Sequence, residues 1–559
     1  MTQTILALLF AAAILSPDAK LLATSPQSAS NATADVGRME EVIQSFVAKK
    51  QFMGSVLVAR GSDILLDQGY GFANLEWKIP NSPKTKFRIG SITKQFTAAS
   101  ILLLQERGKL NVNDPVKKYM PDAPAVWGKI TIFNLLTHTA GIPNFTSFPD
   151  YPSIEPFAKT PEQLIALFRD KPLDFEPGEK WKYSNSGYVL LGYLIEKISG
   201  QKYEQFVQEN IFKPLGMADS GYDLNAAVIQ NRASGYSPSA DGLVNAGYIN
   251  MTIPLSAGGL YSTVDDLLRW EQSLFGGKLL SSVSLKEMTT PFKSDYAFGL
   301  QVQKVNGHKL IDHNGGIEGF NTNLAYYPED KLTVVVLGNV NSTSPVEIAR
   351  DLGALARGER VVLTSERKAV TIDPKIFDGY VGAYQLAPDF FITVGKDAER
   401  FTTQGTGQRQ VEIFPENEKE FFAKAVDAQF IFVTDSQGRA TELILHQNGE
   451  DFHAPRVEGE AAARAPRERK AIPIDPKIFD AYVGSYQLGP NVVLTVTRDG
   501  GHFLAQLTGQ QPIEIFPESD HDFFAKAVDV QITFVTDSRG HATELINHQR
   551  GDRRAPRIE

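Results

Sequence analysis

Cysteine is absent from the 559-residue chain. That removes disulfides, thiolate metal sites, thiol nucleophiles and a lipid-modified N-terminal cysteine together, so any nucleophile is oxygen or nitrogen. Positive charge is also in deficit, with 56 Lys and Arg against 65 Asp and Glu and a formal charge of -9. No overall positive field draws in phosphate backbones, and nucleic acid is not an expected partner. Phosphate-binding glycine loops, His-Glu-x-x-His and Gly-x-Ser-x-Gly are missing, which speaks against nucleotide chemistry, a zinc peptidase and an α/β-hydrolase triad. No metal and no cofactor are expected. Beyond the N-terminus no apolar run is long enough to cross a bilayer.

What is present is ordinary globular composition, 42% hydrophobic and 22% charged, at a length that implies about three or four domains. The chain opens with an apolar run from Ile5 to Leu15, too short to span a membrane, followed by small residues with candidate cleavage points after Ala19 or Ala23. No Lys or Arg precedes the run. A polar stretch, Thr24 to Asp35, separates it from everything later. Residues 1–35 therefore read as a signal peptide and leader, and the expected location is secreted or periplasmic.

Comparing the chain with itself exposes a duplication. Residues 372–447 match 474–549 at an offset of 102, with 48 of 76 positions identical. Both copies carry IDPKIFD, EIFPE, FFAKAVD and TELI in one order, and both close on Ala-Pro-Arg at Ala454 and Ala555. Short alternating runs such as Val493-Leu494-Thr495-Val496, parted by turns such as Asp499-Gly500, indicate all-β barrels or sandwiches. The copies are assigned to 372–457 and 474–559, with charged linkers at 358–371 and 458–473. The remaining domain, 36–357, begins with a helix pattern and strands Ser55 to Arg60 and Ile64 to Tyr70. It ends with strands Phe320 to Tyr327 and Leu332 to Leu337 and a helix from Pro345 to Arg357. The middle is mostly helical in pattern. One antiparallel sheet closed by terminal segments and carrying a helical insertion follows, an α+β arrangement.

Three elements of this domain could carry chemistry. Ser91 lies where Phe87-Arg88-Ile89-Gly90 passes into a helical pattern, and Lys94, three residues on, shares its face. A helix start supplies free N–H groups, and its dipole with burial would lower the Lys94 pKa enough to activate the serine. An N-cap serine beside a solvated lysine is the plain alternative. Ser-x-x-Lys alone is weak, since it recurs at Ser199 to Lys202 and Ser365 to Lys368, neither followed by a helix start. The second element is a loop presenting Tyr183 and Asn185 ahead of a helix. Tyr248-Ile249-Asn250 repeats its spacing, with a tyrosine expected to pack. The third, His313-Asn314-Gly315-Gly316, is the sole His-x-Gly and follows a short strand. Its glycines either make a turn or let a strand edge approach a ligand, so that a backbone N–H faces a developing oxyanion.

Together, Ser91-x-x-Lys94, Tyr183-x-Asn185 and His313-x-Gly315 resemble the penicillin-recognising serine hydrolases. Phrases such as FRIGSITKQFTA, ITIFNLLTHTAGIP, PGEKWKYSNSGYVLLGYLIE and AGGLYSTVDDLLRW support the resemblance. Class C β-lactamases, serine esterases of that fold and D-aminopeptidases are the most similar groups by motif. The tail resembles the small lipocalin-like β-barrels found behind such domains. The resemblance implies a β-lactamase-like α/β catalytic domain in which Ser91 is the nucleophile and Lys94 and Tyr183 transfer protons. Asn185 would contact substrate or Lys94, and the backbone N–H groups of Ser91 and Gly316 would form the oxyanion hole. His313 and Gly315 would complete the substrate side. Histidine stands where class C β-lactamases have lysine, and a mostly neutral ring is a poorer clamp for a carboxylate. Expectation therefore favours an esterase or D-aminopeptidase over a β-lactamase or DD-peptidase. The rival from another class is a non-catalytic binding protein that uses its barrels. His138 is expected to be structural rather than a base. The expected partner is a small ester, amide or peptide substrate, and the oligomeric state is left open.

Overall fold

The computed structural model describes residues 35–558 except 240–241, 388–389, 398–399, 427, 448–449, 460–461, 463–470, 490–491, 509–511, 526–529 and 549–552. The signal reading and much of the second linker fall outside them. No helix among the described residues is long and apolar enough to cross a membrane. The chain divides into two compact units at Leu363/Thr364.

The N-terminal unit is built on a six-stranded antiparallel sheet in the order Gln301–Val305, His308–Ile317, Phe320–Tyr327, Leu332–Gly338, Gly54–Arg60, Asp63–Tyr70. First and last segments of the domain are adjacent because Gly54–Arg60 pairs residue for residue with Leu332–Gly338. The strand Leu-Thr-Val-Val-Val-Leu-Gly is buried throughout because both faces of the sheet are covered. Val335 and Leu337 pack with the helical insertion. Val334 and Val336 face the other way, toward Met39, Ile43, Ile348 and Leu352 of the helices Val36–Ala48 and Ser344–Ala356. Val361 and Leu363, within a segment whose composition reads as linker, also pack on that outer cluster.

The insertion is mostly helical, as its periodicity indicates, yet it includes a three-stranded sheet of Phe87–Arg88, Leu260–Ser262 and Gly221–Tyr222. Two-residue strands are too short to leave an alternation in sequence. At its centre lie the helices Thr93–Glu106 and Asn185–Ser199, the first buried on nearly every side.

The C-terminal unit holds two all-β domains. Eight strands from Gly382–Ala387 to Glu450–Val457 form a closed antiparallel barrel. Eight more, Gly484–Gly489 to Arg553–Pro556, repeat it as a nearly closed sheet whose ends meet at a Tyr486–Arg557 bridge. Aromatic rings fill the first interior, with Phe377 stacked on Phe401 at 4.1 Å and Tyr380 on Phe432 at 4.4 Å. Phe479 on Phe503 and Tyr482 on Phe534 repeat both contacts. The shared Ala-Pro-Arg signature has a structural reason. Arg456 donates to the carbonyls of Gly379, Val381 and Ala440, and Arg557 donates to those of Ala481, Val483 and Ala542, so each arginine ties the last strand to the barrel's opening turn.

Candidate active site

Ser91 sits in the short 3-10 turn Gly90–Ile92, one step before the helix proper at Thr93. The sequence reading placed it at the helix start. Its turn is pressed against the strand His308–Ile317, and the fit depends on glycine at two positions. Gly90 has φ +50°, and a Cβ there would come within 2.8 Å of Gly316 N, while a Cβ on Gly315 would meet the Ile89 carbonyl at 2.0 Å. Thr322 Oγ, on the next strand, donates to that carbonyl at 3.0 Å.

The glycines of His313-Asn314-Gly315-Gly316 therefore make no turn; the strand runs on through them to Ile317. On one side they pair with Phe320–Tyr327. On the other, the ladder to Gln301–Val305 ends at Asp312, so residues from His313 onward form a free edge. Gly316 is exposed there.

Lys94 is fully buried. Its Nζ lies 2.9 Å from Asn185 Oδ1, 2.7 Å from the Ala257 carbonyl and 3.0 Å from Ser91 Oγ. Tyr183 OH donates to Ser91 Oγ at 2.8 Å. Lys94 Nζ also lies 4.8 Å from the centre of the Tyr183 ring and 5.4 Å from that of Tyr188. Desolvation holds the Lys94 amine well below the usual lysine range, and burial pushes the Tyr183 phenol above its own. Desolvation favours the neutral form of this amine, and in that form the hydrogen-bond roles are fixed by its neighbours. An uncharged amine has two N–H groups and one lone pair. Asn185 Oδ1 and the Ala257 carbonyl can only accept, so they take both hydrogens, and the lone pair is left for the Ser91 hydroxyl.

Asn185 is held from behind. Its amide Nδ2 donates to Thr146 Oγ at 3.1 Å and its backbone N–H to Asn144 Oδ1 at 3.0 Å, so its oxygen is aimed at Lys94. His138 is buried with φ +56°, and its Nδ1 accepts the Ser184 N–H at 3.2 Å, fixing the loop between Tyr183 and Asn185.

His313 is buried beside this group, 6.4 Å from Tyr183 ring to ring. Its Nδ1 lies 2.6 Å from the Asn314 carbonyl and its Nε2 3.0 Å from Tyr296 OH. A carbonyl cannot donate, so Nδ1 carries the hydrogen and Nε2 accepts from Tyr296. Burial and the neighbouring Lys94 push its pKa down to about 3.

The structure thus brings Ser91, Lys94, Tyr183 and Asn185 into direct contact, with His313, Gly315 and Gly316 alongside. A short helix, Tyr203–Val207, does begin directly after Lys202, contrary to the sequence expectation, so a following helix start does not set Ser91 apart from that look-alike. Its side chains are elsewhere occupied: Ser199 Oγ donates to the Ile195 carbonyl, and Lys202 pairs with Glu196. Tyr248, expected to pack, is 58% exposed. Sequence reasoning missed Ala257, Thr146, Tyr188 and Tyr296. Ala257 and Tyr188 lie inside phrases already noted, while nothing around Tyr296 distinguishes it from any other tyrosine.

The Beta-lactamase family profile matches residues 39–358, and a profile described as a domain of unknown function (DUF3471) matches residues 366–458 and 468–554. Penicillin-binding protein 4* of Bacillus subtilis (strain 168) is 30% identical over 452 residues, covering 75% of this chain and 98% of that protein. The octameric penicillin-binding protein homologue from Pyrococcus abyssi is similar with a TM-score of 0.55 at 28% identity, over 75% of this chain and 99% of that one. A D-stereospecific amidohydrolase from Streptomyces sp. gives 0.51 at 26% identity, over 58% of this chain and all (100%) of its own. With its serine, lysine and tyrosine in hydrogen-bond contact and this profile spanning the whole N-terminal domain, the chain belongs to the Beta-lactamase family.

Proposed function

We propose that the protein is a serine hydrolase that cleaves carboxylic esters or amides through an acyl-enzyme on Ser91. The observation that carries this reading is the Ser91 hydroxyl held between the buried Lys94 amine, whose pKa desolvation lowers, and the Tyr183 hydroxyl. In acylation Ser91 Oγ attacks the substrate carbonyl carbon and its proton passes to the Lys94 lone pair. The backbone N–H groups of Ser91 and Gly316 receive the negative charge that develops on the carbonyl oxygen. When the tetrahedral intermediate collapses, Tyr183 gives its proton to the departing alcohol or amine and recovers one from the Lys94 ammonium. Water then repeats the sequence in reverse: it loses its proton to the same pair, attacks the acyl carbon and releases the carboxylic acid, and Ser91 regains its hydrogen.

Relatives named for penicillin binding and for D-stereospecific amide hydrolysis support a substrate with an amide or ester at the cleaved bond. A neutral His313 supports uncharged short esters or amides over anionic β-lactams. Export, read from the apolar run Ile5 to Leu15, is part of the same proposal. A fluorophosphonate probe tests the nucleophile directly. Peptide mapping is expected to find the adduct on Ser91, with Ser91→Ala unlabelled and inactive but folded. An adduct on Ser199 or Ser365 refutes the assignment.

A further inference from the structure

His313 occupies the place where a substrate clamp is expected, yet neither of its ring nitrogens is free. Nδ1–H is used by the Asn314 carbonyl and the Nε2 lone pair by Tyr296 OH, and the ring is 3% exposed. Tyr296 lies in the turn before Gln301–Val305, 17 residues ahead of His313 and outside all three motifs. Its ring packs 4.6 Å from His138, 6.0 Å from Trp181 and 6.4 Å from Tyr183. Tyr296 thus packs against the rings of His138, Trp181, Tyr183 and His313.

We propose that Tyr296 is a positioning residue: its hydroxyl locks His313 as the Nδ1–H tautomer, so that His313 shapes the wall beside Tyr183 and the free edge without taking substrate charge. This rests on the reading of Ser91 as nucleophile and deepens it by naming the group that sets substrate preference. The groups facing His313 agree. Lys94 comes from the helix Thr93–Glu106, His138 and Tyr183 from their loops and Tyr296 from its turn, and no carboxylate is among them. Asp312, the adjacent residue, bonds Gln303 and Asn323 and is on the other face of the sheet. Removal of the Tyr296 hydroxyl leaves Nε2 without its donor. Without that bond the ring can turn out of the dry pocket, away from the burial and the Lys94 charge that keep it unprotonated, and there take a proton and meet an anion.

The test uses two activated esters of the full chain's own scale of substrate, identical except that one acyl group ends in a carboxylate and the other in a carboxamide. For the wild type the ratio of their kcat/KM values, anionic over neutral, stays constant within about twofold from about pH 8 to about pH 5.5. Tyr296→Phe is expected to lower kcat roughly tenfold with little change in KM, and to raise that ratio at least about threefold toward the acid end. His313→Gln, whose amide oxygen can accept from Tyr296, keeps the ratio flat. A wild-type ratio that climbs as pH falls, or a Tyr296→Phe enzyme equal to wild type in rate and ratio, overturns the proposal. If neither ester is turned over by wild type, the Ser91 reading fails separately. The ring is then read by nitrogen-15 spectra of histidine-labelled full-length protein, with His313→Gln identifying its signals. A protonated Nδ1 and a bare Nε2 are expected across that range, and a doubly protonated or Nε2–H ring overturns the lock. The same spectra decide the case if Tyr296→Phe does not fold.

Discussion

Among described residues, the N-terminal domain buries Lys94, His138, Asp266, Glu271, Asp312 and His313, whereas the only buried polar side chains of the two repeats, tyrosines aside, are Thr402 and Thr403. The same chain thus holds two kinds of interior. Each barrel excludes water with stacked phenylalanines and satisfies its few polar groups at the rim through Arg456 or Arg557. The N-terminal domain accepts ionisable groups where burial raises Asp312 to about 7 and Glu271 to about 8 and lowers His313 to about 3. Burying such groups costs stability unless they are paired or neutral, so the Lys94, His138 and His313 gathered beside the Ser91 turn serve something other than holding the fold. Among the described residues the barrels bury no ionisable side chain other than tyrosine, and aromatic and aliphatic side chains make up their cores.

The strongest way to break this contrast is to disable the proton pair. Tyr183→Phe removes one hydroxyl from a half-buried ring and leaves its packing, so we expect kcat to fall by on the order of 10²-fold or more while thermal unfolding changes little. The wild-type rate should rise with pH through the ionisation of Lys94. Because desolvation lowers that pKa, the limb lies below the range of an ordinary lysine and the base form is already present nearer neutrality. Full turnover by Tyr183→Phe would show that Lys94 or a water works without the phenol, and a limb at the position of a solvated amine contradicts the lowered Lys94 pKa.

The complementary change is made in a barrel. Phe377 is fully buried and touches Tyr380, Phe401, Phe421 and Phe432. Phe377→Ala should cost the first barrel ~3–5 kcal/mol, and Phe479→Ala should cost the second a similar amount because its neighbours repeat. Denaturant unfolding followed beside Ser91 labelling checks this: the barrel transition shifts, while the labelling rate stays within about twofold. A large loss of labelling would mean that the barrel interior and the serine site are not energetically separate.

How much of each region is legible in sequence follows from the same contrast. The barrels repeat, and duplication is visible without any structure. Their alternating runs give strands because one face is dry. The main sheet's terminal strands, such as Phe320–Tyr327, are equally plain, and Ser91 with Lys94 is local enough to be a motif. What escapes is long-range and polar. Lys94 meets the Ala257 carbonyl across 163 residues, a contact that imposes no residue type on position 257 beyond a backbone. Tyr296 reaches His313 across 17 residues through a hydroxyl that has no period. The glycines at 315 and 316 were legible as important but ambiguous in geometry, since turns and close approaches select glycine for the same missing Cβ.

The smallest expected effect concerns the energetic cost of the polar interior itself. His313 has an ordinary pKa of 6.5 when exposed and about 3 when folded. Between those values the unfolded chain binds a proton that the folded chain does not, so stability falls as pH drops below 6.5 and is unaffected by this group well above it. At pH 5.5 the penalty is about 1 kcal/mol, from one pH unit below the unfolded value. His313→Gln cannot take that proton, whereas His138 is present in both proteins with the two largest causes of its lowered pKa, burial and Lys94, unchanged. Urea unfolding of the N-terminal domain near pH 7.5 and again near pH 5.5 should therefore show wild type losing about 1 kcal/mol more than His313→Gln over the interval. Equal losses would mean that folded His313 protonates as readily as a free ring, and that the dry surround which the barrels lack does not set its charge.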